Sequence, residues 1–465
     1  MSFALLSTVS MLIVLGIMVL VHEFGHFLVA KWCGVRVEAF SIGMGKRLFG
    51  FRRGDTDYRI SLLPIGGYVK MSGEVIGDLP TGDENNDPGD YNNHPRWQRV
   101  LIACAGPAAN FILAFFLLTI VYMAHNEVSN FMTGPAVVDY VQPHTTAALA
   151  GMERGDKIVS FDGVKDPDWS QVYIHTILNL NHNVSVSVVR HDGANVGQIQ
   201  NLQMLLPNIS SPDDFTLQDL GLAVQEQNDP LRVSTVESPN YPGYKAGLRE
   251  GDQIAAVDGI PFRSISSIIL YLQEQAGKPL TVTVLRNGQM QTLHMEPVLK
   301  PSQNGQPAYQ IGFGTDAAPY HVEHLGLWPA MQQSVHENIK GSTLIVEVLH
   351  RMVTLRMSVR TLSGPVGIAQ ATGKIVSMPG WSPLFGEMAT ISLNLGIFNL
   401  LPIPILDGGV ILLLLIESLM RKDMNHQIKE RIYQSAFVFL ILIFAFVMLN
   451  DLSKIPLLAR LHSTH

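Results

Sequence analysis

FALLSTVSMLIVLGIMVLVHEFGHFLVA, residues 3–30, is one apolar run that carries His22, Glu23 and His26 near its end. The hydrocarbon core of a bilayer is about 30 Å thick, and roughly 20 apolar residues in a helix cross it. Ionisable groups within such a span cost about 2.5 kcal/mol or more each, so they persist where they serve a function. The run therefore predicts a transmembrane helix with a polar site. A signal peptide is less favoured, because no Lys or Arg precedes the apolar core and no small-x-small cleavage site follows it.

Three further apolar stretches, with their flanks, are long enough to cross a membrane: 100–123, 388–419 and 436–449. The composition agrees, because 47% of the 465 residues are hydrophobic and only 15% are charged. We therefore predict a polytopic α-helical membrane protein with four transmembrane helices in a lipid bilayer. The formal charge of −7 gives no basic field, so no nucleic acid is expected as a partner. The two cysteines are too few for a disulfide framework or a thiolate metal cage.

The basic residues orient these four spans. Lys and Arg are concentrated in the loops between spans one and two and between spans three and four, and short basic loops stay in the cytoplasm. The segment from about 126 to 380 then lies outside the cytoplasm, in the periplasm of a Gram-negative cell. The predicted location is the bacterial inner (cytoplasmic) membrane.

The segment between spans two and three contains a tandem duplication. AGMERGDKIVSFDG at 150–163 is repeated as AGLREGDQIAAVDG at 246–259, and VSVSVVR at 184–190 as LTVTVLR at 280–286. Alternating apolar residues predict strands with one buried face, and the Asp-Gly pairs predict turns. Both copies resemble PDZ domains, which bind chain ends or extended peptides at a sheet edge. The alternative is that these two β-rich domains are bulky spacers.

The HEFGH stretch has the spacing of a zinc site. Positions i and i+4 lie on the same face of a helix, so His22 and His26 can hold one ion while Glu23 reaches a water molecule. Zinc lowers the pKa of water towards neutrality, and a carboxylate beside it can carry the proton to the leaving amine of a peptide. Because a catalytic zinc needs a third protein ligand, another polar residue in a different apolar stretch is expected.

Asp407 is the candidate for that third ligand, within NLGIFNLLPIPILDGG at 394–409. It could instead cap a helix that begins near Gly408, but a buried cap would still leave its charge uncompensated. Pro402 and Pro404 rule out a continuous helix here, and a broken backbone at membrane depth survives where it lines a cavity. Asn399 could hold a substrate backbone or a developing oxyanion, or it could hydrogen-bond a neighbouring helix. Asn394 and Pro402 are further candidates for substrate contact.

Taken together, the motifs resemble those of the site-2 protease family of intramembrane zinc metalloproteases. They are HEFGH at 22–26, AGPAAN at 105–110, the two PDZ-like copies, SGPVGI at 363–368 and NLLPIPILDGG at 399–409. The resemblance implies Zn²⁺ held by His22, His26 and Asp407, Glu23 as catalytic base and Asn399 in substrate binding. It also implies cleavage of transmembrane substrates such as an anti-sigma factor after a first periplasmic cut, in an envelope stress response. Remnant signal peptides are a second implied substrate, and the active site is expected towards the cytoplasmic side.

Two Gly-rich apolar segments lie between spans one and two, FSIGMGKRLFGF at 40–51 and YRISLLPIGGYVKMSGE at 58–74. In the family such sequence forms a β-loop that enters the membrane near the active site. An edge strand there could pair with an unwound substrate, so Gly66 and Gly67 are candidate substrate contacts. An ordinary cytoplasmic hairpin is the alternative.

The predicted organisation has these boundaries: transmembrane helices at 1–31, 100–124, 384–420 and 435–452; the re-entrant β-loop region at 32–99; PDZ-like domains at 125–221 and 222–310; a periplasmic linker with amphipathic helices at 311–383; a cytoplasmic loop at 421–434; and a periplasmic tail at 453–465. A membrane-anchored PDZ adaptor with a structural or inactive metal site is the alternative function. Its weakness is that a structural zinc needs no general base. A transporter is disfavoured because no inverted halves are found.

Overall fold

The protein is described by a computed structural model that covers residues 3–73, 87–191, 196–207, 215–237, 239–301, 307–354, 357, 364–378 and 380–453. Two compact units make up the chain. A helical unit comprises 1–126, 323–354 and 362–465, and a β-rich unit comprises 127–322 and 355–361.

The helical unit contains seven helices and one hairpin in the described ranges. The helices are α1 (Phe3–Cys33), α2 (Arg96–Ala124), α8 (Leu327–Val353), α9 (Pro365–Val376), α10 (Ser382–Asn399), α11 (Asp407–Met420) and α12 (His426–Ser453), and the strands are β1 (Val37–Arg53) and β2 (Thr56–Met71). A short 3₁₀ helix, Tyr91–Asn93, precedes α2. The predicted β-loop is therefore a long two-stranded antiparallel hairpin.

Three helices of the described chain are long and apolar enough to cross a membrane: Leu5–Cys33, Arg96–Ala124 and Gln427–Asp451. The third predicted span is instead two helices, α10 and α11, separated by the residues around Pro402 and Pro404. Both prolines lack a backbone N–H group, so a helix cannot continue through this segment. Four full transmembrane helices remain a prediction.

Small residues bring α1 and α2 into close contact. A Cβ atom on Gly25 would lie 2.3 Å from the carbonyl oxygen of Ala105 and 2.8 Å from the Cβ of Ala109. Such close approach is typical of helix pairs in membranes, where packing replaces the hydrophobic effect. The core that α1 and α2 share with α10 contains Val14, Met18, Ala114, Leu117, Met388, Ala389, Leu393 and Ile397.

Helix α12 is joined to α9 by one buried carboxylate. Asp451 is 4% exposed and accepts hydrogen bonds from the backbone N–H groups of Gly364, Val366 and Gly367 at 3.0 to 3.1 Å. It thus satisfies donors that the first turn of α9 leaves without helical partners. Residues 364–368 of the SGPVGI motif are therefore the capped start of a helix.

The β-rich unit contains the two sequence repeats. Its elements in chain order are β3 (Asn126–Ser129), α3 (Asn130–Thr133), β4 (Val138–Val141), α4 (Thr146–Ala150), β5 (Lys157–Phe161), β6 (Val164–Lys165), α5 (Trp169–Leu178), β7 (Asn183–Val189), β8 (Ile199–Leu205), β9 (Leu222–Val224), β10 (Leu231–Val236), α6 (Pro242–Lys245), β11 (Gln253–Val257), α7 (Ile265–Gln275), β12 (Leu280–Arg286), β13 (Gln289–Met295), β14 (Val298–Pro301), β15 (Pro307–Gln310), β16 (Phe313–Thr315) and β17 (Tyr320–Glu323). The first copy has sheets ordered β6-β5-β7-β8 and β4-β9, and the second has β13-β12-β11-β10-β16 and β14-β15.

The repeats share an ion pair as well as the order of three strands, β5-β7-β8 in the first copy and β11-β12-β13 in the second. Asp156 faces Arg190 at 3.5 Å in the first copy, and Asp252 faces Arg286 at 2.7 Å at the equivalent place in the second. In both copies the aspartate also accepts a backbone N–H three residues earlier in the chain. The two segments that are similar in sequence thus have the same ion pair and the same backbone contact at equivalent positions.

The two copies pack directly on each other through strand β4 of the first copy. Asp139 on β4 is 2% exposed and accepts the N–H groups of Arg263 and Ser264 at 2.8 and 3.0 Å. Tyr140, next to it, lies in the hydrophobic core of the second copy. The two domains therefore share one continuous interface within the β-rich unit.

Candidate active site

Two histidines of α1 face the same side, and α2 fixes both rings. The Nδ1 atom of His26 lies 2.8 Å from the carbonyl oxygen of Ile102, to which it donates. The Nδ1 atom of His22 lies 3.2 Å from the side-chain amide of Asn110, which is fully buried. With both Nδ1 atoms held in this way, the two Nε2 atoms point to one place and lie 3.1 Å apart. For Nε2 of His22 to bind a metal its Nδ1 must donate, so the amide oxygen of Asn110, which otherwise has no partner among the described residues, must be the atom that faces it.

Asp407 completes the group from α11. Its Oδ2 lies 3.1 Å from Nε2 of His22, and its Oδ1 lies 3.4 Å from Nε2 of His26. Atoms bonded to a tetrahedral zinc at about 2.0–2.1 Å are themselves roughly 3.3 Å apart, so this triangle has the size that zinc requires. Two nitrogens and one carboxylate are also a common donor set of catalytic zinc. The residues present therefore fit the metal.

Two glycines allow Asp407 to reach the histidines. The broken segment between α10 and α11 folds back on the first turn of α11, where a Cβ on Gly408 would lie 2.1 Å from the carbonyl oxygen of Leu400. A Cβ on Gly409 would lie 2.2 Å from that of Ile403. Side chains at either position would force the turn apart. Leu406 is the N-cap of α11 and Asp407 is the first residue inside the helix, so the alternative in which Asp407 caps a helix that begins near Gly408 is not the arrangement observed.

A third glycine, Gly106 on α2, leaves room for the imidazoles. A Cβ at this position would lie 2.3 Å from Nε2 of His26 and 2.7 Å from Nε2 of His22. No rotation of these buried rings could relieve both contacts while their Nδ1 atoms stay bonded to α2. Any side chain at 106 would therefore displace the candidate ligands.

Glu23 lies beside this group and is tied to the hairpin. Its Oε2 accepts the backbone N–H of Val69 on β2 at 3.0 Å. Gly67 is close by, since a Cβ there would lie 3.7 Å from Cγ of Glu23. Because one oxygen is occupied by Val69, the other is available for a proton. The hairpin thus orients the candidate base.

These side chains open into one cavity of about 390 Å³. His22, Glu23, His26, Asp407 and Asn399 all line it, together with Val69, Tyr91, Ile102 and Ala103. Two predicted contacts, Asn394 and Pro402, are not among the lining residues. Gly66 and Gly67 are also outside the lining; Gly66 lies nearer to Val19 and Met44, and Gly67 lies beside Glu23. The structure therefore brings together the four principal predicted residues and Asn399, and leaves Asn394, Pro402, Gly66 and Gly67 outside the lining.

Sequence reasoning did not assign roles to three residues that hold the site. Asn110 and Gly106 lie in the AGPAAN motif, which contributes to the family resemblance but whose residues have no role assigned from it. Their spacing of four residues, on one face of α2, was a signal that this face meets the histidines. Val69 acts through its backbone, which no side-chain pattern can show.

Comparison with known proteins identifies the family. A model of Peptidase family M50 matches residues 10–443. The chain is 33% identical over 454 residues to the regulator of sigma-E protease RseP of Salmonella typhimurium (strain 14028s / SGSC 2262), covering 96% of this chain and 98% of that protein. It is 31% identical over 456 residues to the regulator of sigma-E protease RseP of Escherichia coli K12, covering 96% and 98%. For the protease RseP of Yersinia pestis the identity is 31% over 458 residues, covering 97% and 99%.

The chain belongs to Peptidase family M50. The site-2 protease resemblance drawn from the sequence is thereby confirmed, and so is the prediction of a zinc-dependent metallopeptidase. The apolar helices of this M50 peptidase, together with its relatives, make it a multi-pass membrane protein. The roles of individual site residues rest on the geometry given above.

Proposed function

We propose that this M50 peptidase hydrolyses peptide bonds within the transmembrane segments of single-pass membrane proteins. One observation carries the proposal: Glu23 and the ligand atoms of His22, His26 and Asp407 share a cavity between helices of membrane-spanning length. A peptidase acting on soluble substrates would not need to bury its site among such helices.

The residues divide the chemistry between them. His22, His26 and Asp407 would hold the zinc ion, which supplies a Lewis acid that makes water a nucleophile near neutral pH. Glu23, with one oxygen fixed by Val69, takes a proton from the attacking water and passes it to the leaving nitrogen. Asn399 lines the cavity, and its side chain makes no hydrogen bond to the described part of the chain, which supports a contact with the substrate carbonyl.

A helical substrate must unwind before its carbonyls can be attacked. The hairpin offers main-chain groups beside Glu23, where Gly67 keeps the strand close to the base. Apolar side chains of the hairpin are exposed, including Phe49, Phe51 and Leu63, as expected for a β-loop that enters the membrane. An extended substrate could then gain hydrogen bonds from this edge that depend little on its sequence.

The basic loops support an orientation with the active site towards the cytoplasm and the β-rich unit in the periplasm. Two PDZ-like copies, at 125–221 and 222–310, would there bind peptides or exclude substrates with bulky outer domains. Deletion of 126–310 should then permit cleavage of a full-length, uncut substrate. If intact substrates stay resistant, selection lies elsewhere.

The names of the relatives suggest the class of substrate. They are regulators of the sigma-E response, so a membrane-bound anti-sigma factor that has already lost its periplasmic part is the proposed substrate. Release of its cytoplasmic part would activate an envelope stress response. Remnant signal peptides are the second proposed substrate.

Cleavage of a single-pass helical substrate by the purified protein in nanodiscs tests this function. Wild type should cut within the apolar segment when loaded with zinc, and Glu23→Gln should bind zinc equally but not cut. A zinc-loaded wild type that leaves every membrane substrate intact would favour the adaptor alternative. Equal cleavage by Glu23→Gln would point to a contaminating protease.

A further inference from the structure

The outer part of the hairpin, residues 46–59, carries more positive than negative charge. It holds five Lys and Arg but only two Asp, so three positive charges remain. One of these acids, Asp57, is shared by two arginines at 3.2 and 3.9 Å. Lys46, Arg52 and Arg53 are exposed, and their side chains make no hydrogen bond or ion pair with any residue that the structure describes. These three cations are therefore available to a partner outside the chain.

Apolar side chains lie between these cations. Leu48, Phe49 and Phe51 are 49%, 72% and 64% exposed. Along the chain, KRLFGFRR at 46–53 has its apolar side chains in the centre and a basic pair at each end. At a membrane surface, long basic side chains extend to the headgroups while neighbouring apolar groups enter the acyl-chain region. The composition of this segment therefore fits a membrane surface better than water.

Ring contacts place this segment beside the end of a helix of membrane-spanning length. Phe51 stacks on Tyr58 with ring centroids 5.2 Å apart, and Tyr58 lies 5.9 Å from the ring of Phe27 on α1. Phe27 is about 9 Å from the end of α1 along the helix axis. Two exposed tryptophans, Trp32 on α1 and Trp97 on α2, mark the helix ends that the hairpin connects, as is typical of a membrane interface. The basic segment therefore lies where lipid headgroups are found.

The same hairpin orients the candidate base. Its backbone register pairs Phe51 with Tyr58. Tyr58 in turn pairs with Phe40, and Phe40 pairs with Val69. Val69 donates its N–H group to Glu23 at 3.0 Å. The basic segment and the strand that holds Glu23 are therefore joined by successive backbone pairs across the hairpin.

We propose that Lys46, Arg52 and Arg53 bind the phosphate groups of anionic phospholipids, and that this contact anchors the hairpin that orients Glu23. Charge complementarity supports this partner, because a guanidinium offers paired donors to phosphate oxygens. In the orientation proposed above, the hairpin meets the cytoplasmic leaflet, whose surface is negatively charged. An acidic soluble protein could meet the same charges, but it would give no reason for the exposed apolar side chains between them.

Quenching by brominated lipids tests binding in the full-length protein. Leu48→Trp adds a fluorophore among the basic residues, and its added fluorescence is measured in phosphatidylcholine nanodiscs that contain brominated phosphatidylglycerol or, at the same mole fraction, brominated phosphatidylcholine. Phosphatidylglycerol should quench more strongly, because it is enriched at the hairpin. Each change of Lys46, Arg52 or Arg53 to Gln should lower this preference about fivefold or less, as expected for one charge near a membrane surface.

A matched control separates a local site from the net charge of the protein. The three Gln substitutions together should abolish the preference for phosphatidylglycerol. Arg421→Gln, Lys422→Gln and Arg431→Gln remove the same charge from exposed positions at the ends of α11 and α12 and should leave the preference unchanged. An equal loss in both triple variants means a general attraction and overturns the proposal. Equal quenching by the two lipids in the protein with all its cations also overturns it, and leaves the basic segment to an acidic protein.

Hydrogen exchange tests the anchoring of the hairpin. In wild type, the backbone amides of residues 67–71 should exchange more slowly in nanodiscs with phosphatidylglycerol than in phosphatidylcholine alone, because a lipid contact that holds one side of the hairpin opposes its opening. The triple variant at 46, 52 and 53 should lose this difference. Wild-type exchange that does not respond to phosphatidylglycerol overturns the anchoring role. Neither measurement uses cleavage, so a chain that binds phosphatidylglycerol in this way but cuts no substrate would refute the proposed function alone.

Discussion

Oδ2 of Asp407 on α11 lies 3.1 Å from Nε2 of His22 on α1, although the two residues are far apart in the chain. Oδ2 is buried, and Nε2 of His22 offers it no proton in the tautomer that binds a metal. A buried carboxylate oxygen in this state is costly unless a cation neutralises it. The relationship therefore predicts that the metal itself stabilises the packing of α11 against α1.

Substitution of Asp407 and of Glu23 should separate metal binding from chemistry. Asp407→Asn removes an anionic ligand, so we expect zinc content to fall well below one ion per chain and cleavage to be lost. Glu23→Gln leaves all three ligands, so zinc content should stay near wild type while the rate falls about 10²–10⁴-fold. Metal analysis and cleavage assays on the same samples check this. Full zinc content in Asp407→Asn would show that the third ligand lies elsewhere.

Gly106→Ala should disable the site through one methyl group. Its Cβ would lie 2.3 Å from Nε2 of His26, so we expect loss of zinc and of cleavage. Gly386→Ala on α10 is the matched control, because nothing lies within 4 Å of a Cβ there. Both changes raise helix propensity equally, so only contact with the histidines distinguishes them. Normal zinc binding by Gly106→Ala would mean that the rings can move aside.

The hydrogen bond from Val69 to Glu23 predicts a backbone effect on catalysis. Val69→Pro removes the N–H group, so Glu23 should lose its orientation, and we expect kcat to fall about tenfold or more with zinc retained. Val69→Ala keeps the N–H group and should stay within about threefold of wild type. The comparison uses kcat at saturating substrate. If alanine and proline reduce kcat equally, the side chain of Val69 matters rather than its donor.

The sequence predicted the metal site because charged groups in apolar helices are costly wherever they occur. On that ground the histidines, Glu23 and Asp407 are candidates without knowledge of the fold. The same reasoning could not find Gly106 or Asn110, whose importance lies in what a neighbouring helix brings within reach. Pro402 and Asn394 were predicted to contact the substrate because they lie in this segment, but neither lines the cavity. Which residues of a broken helix face a cavity depends on the path of its backbone, and the sequence does not show that path.

The repeat was equally visible in the sequence, but the interface between its copies was not. Apolar alternation predicts strands within a copy, whereas Asp139 looks like an ordinary polar residue of β4. In the structure it is 2% exposed and bound by the N-terminal region of α7 in the other copy. Burial raises the pKa of Asp139, although its hydrogen bonds and Arg154 oppose this.

This interface makes the stability of the β-rich unit sensitive to pH through Glu226. Burial, and next the charge of Asp139, raise the pKa of Glu226 from 4.5 to about 7. The folded chain therefore binds more protons than the unfolded chain between these values, so stability falls as pH rises through about 7. We expect the melting temperature to be a few degrees lower at pH 8 than at pH 5.

The fluorescence of Trp169, fully buried in the first copy, reports unfolding of this unit. Glu226→Gln removes the titrating group and should flatten the dependence on pH above 5, whereas Glu250→Gln, at an exposed position, should leave it as in wild type. Burial raises the pKa of Asp139 too, so any pH dependence that Glu226→Gln retains at the lower end of this range should have the same sign. A full wild-type slope in that variant would place the pH-sensitive group elsewhere in the unit.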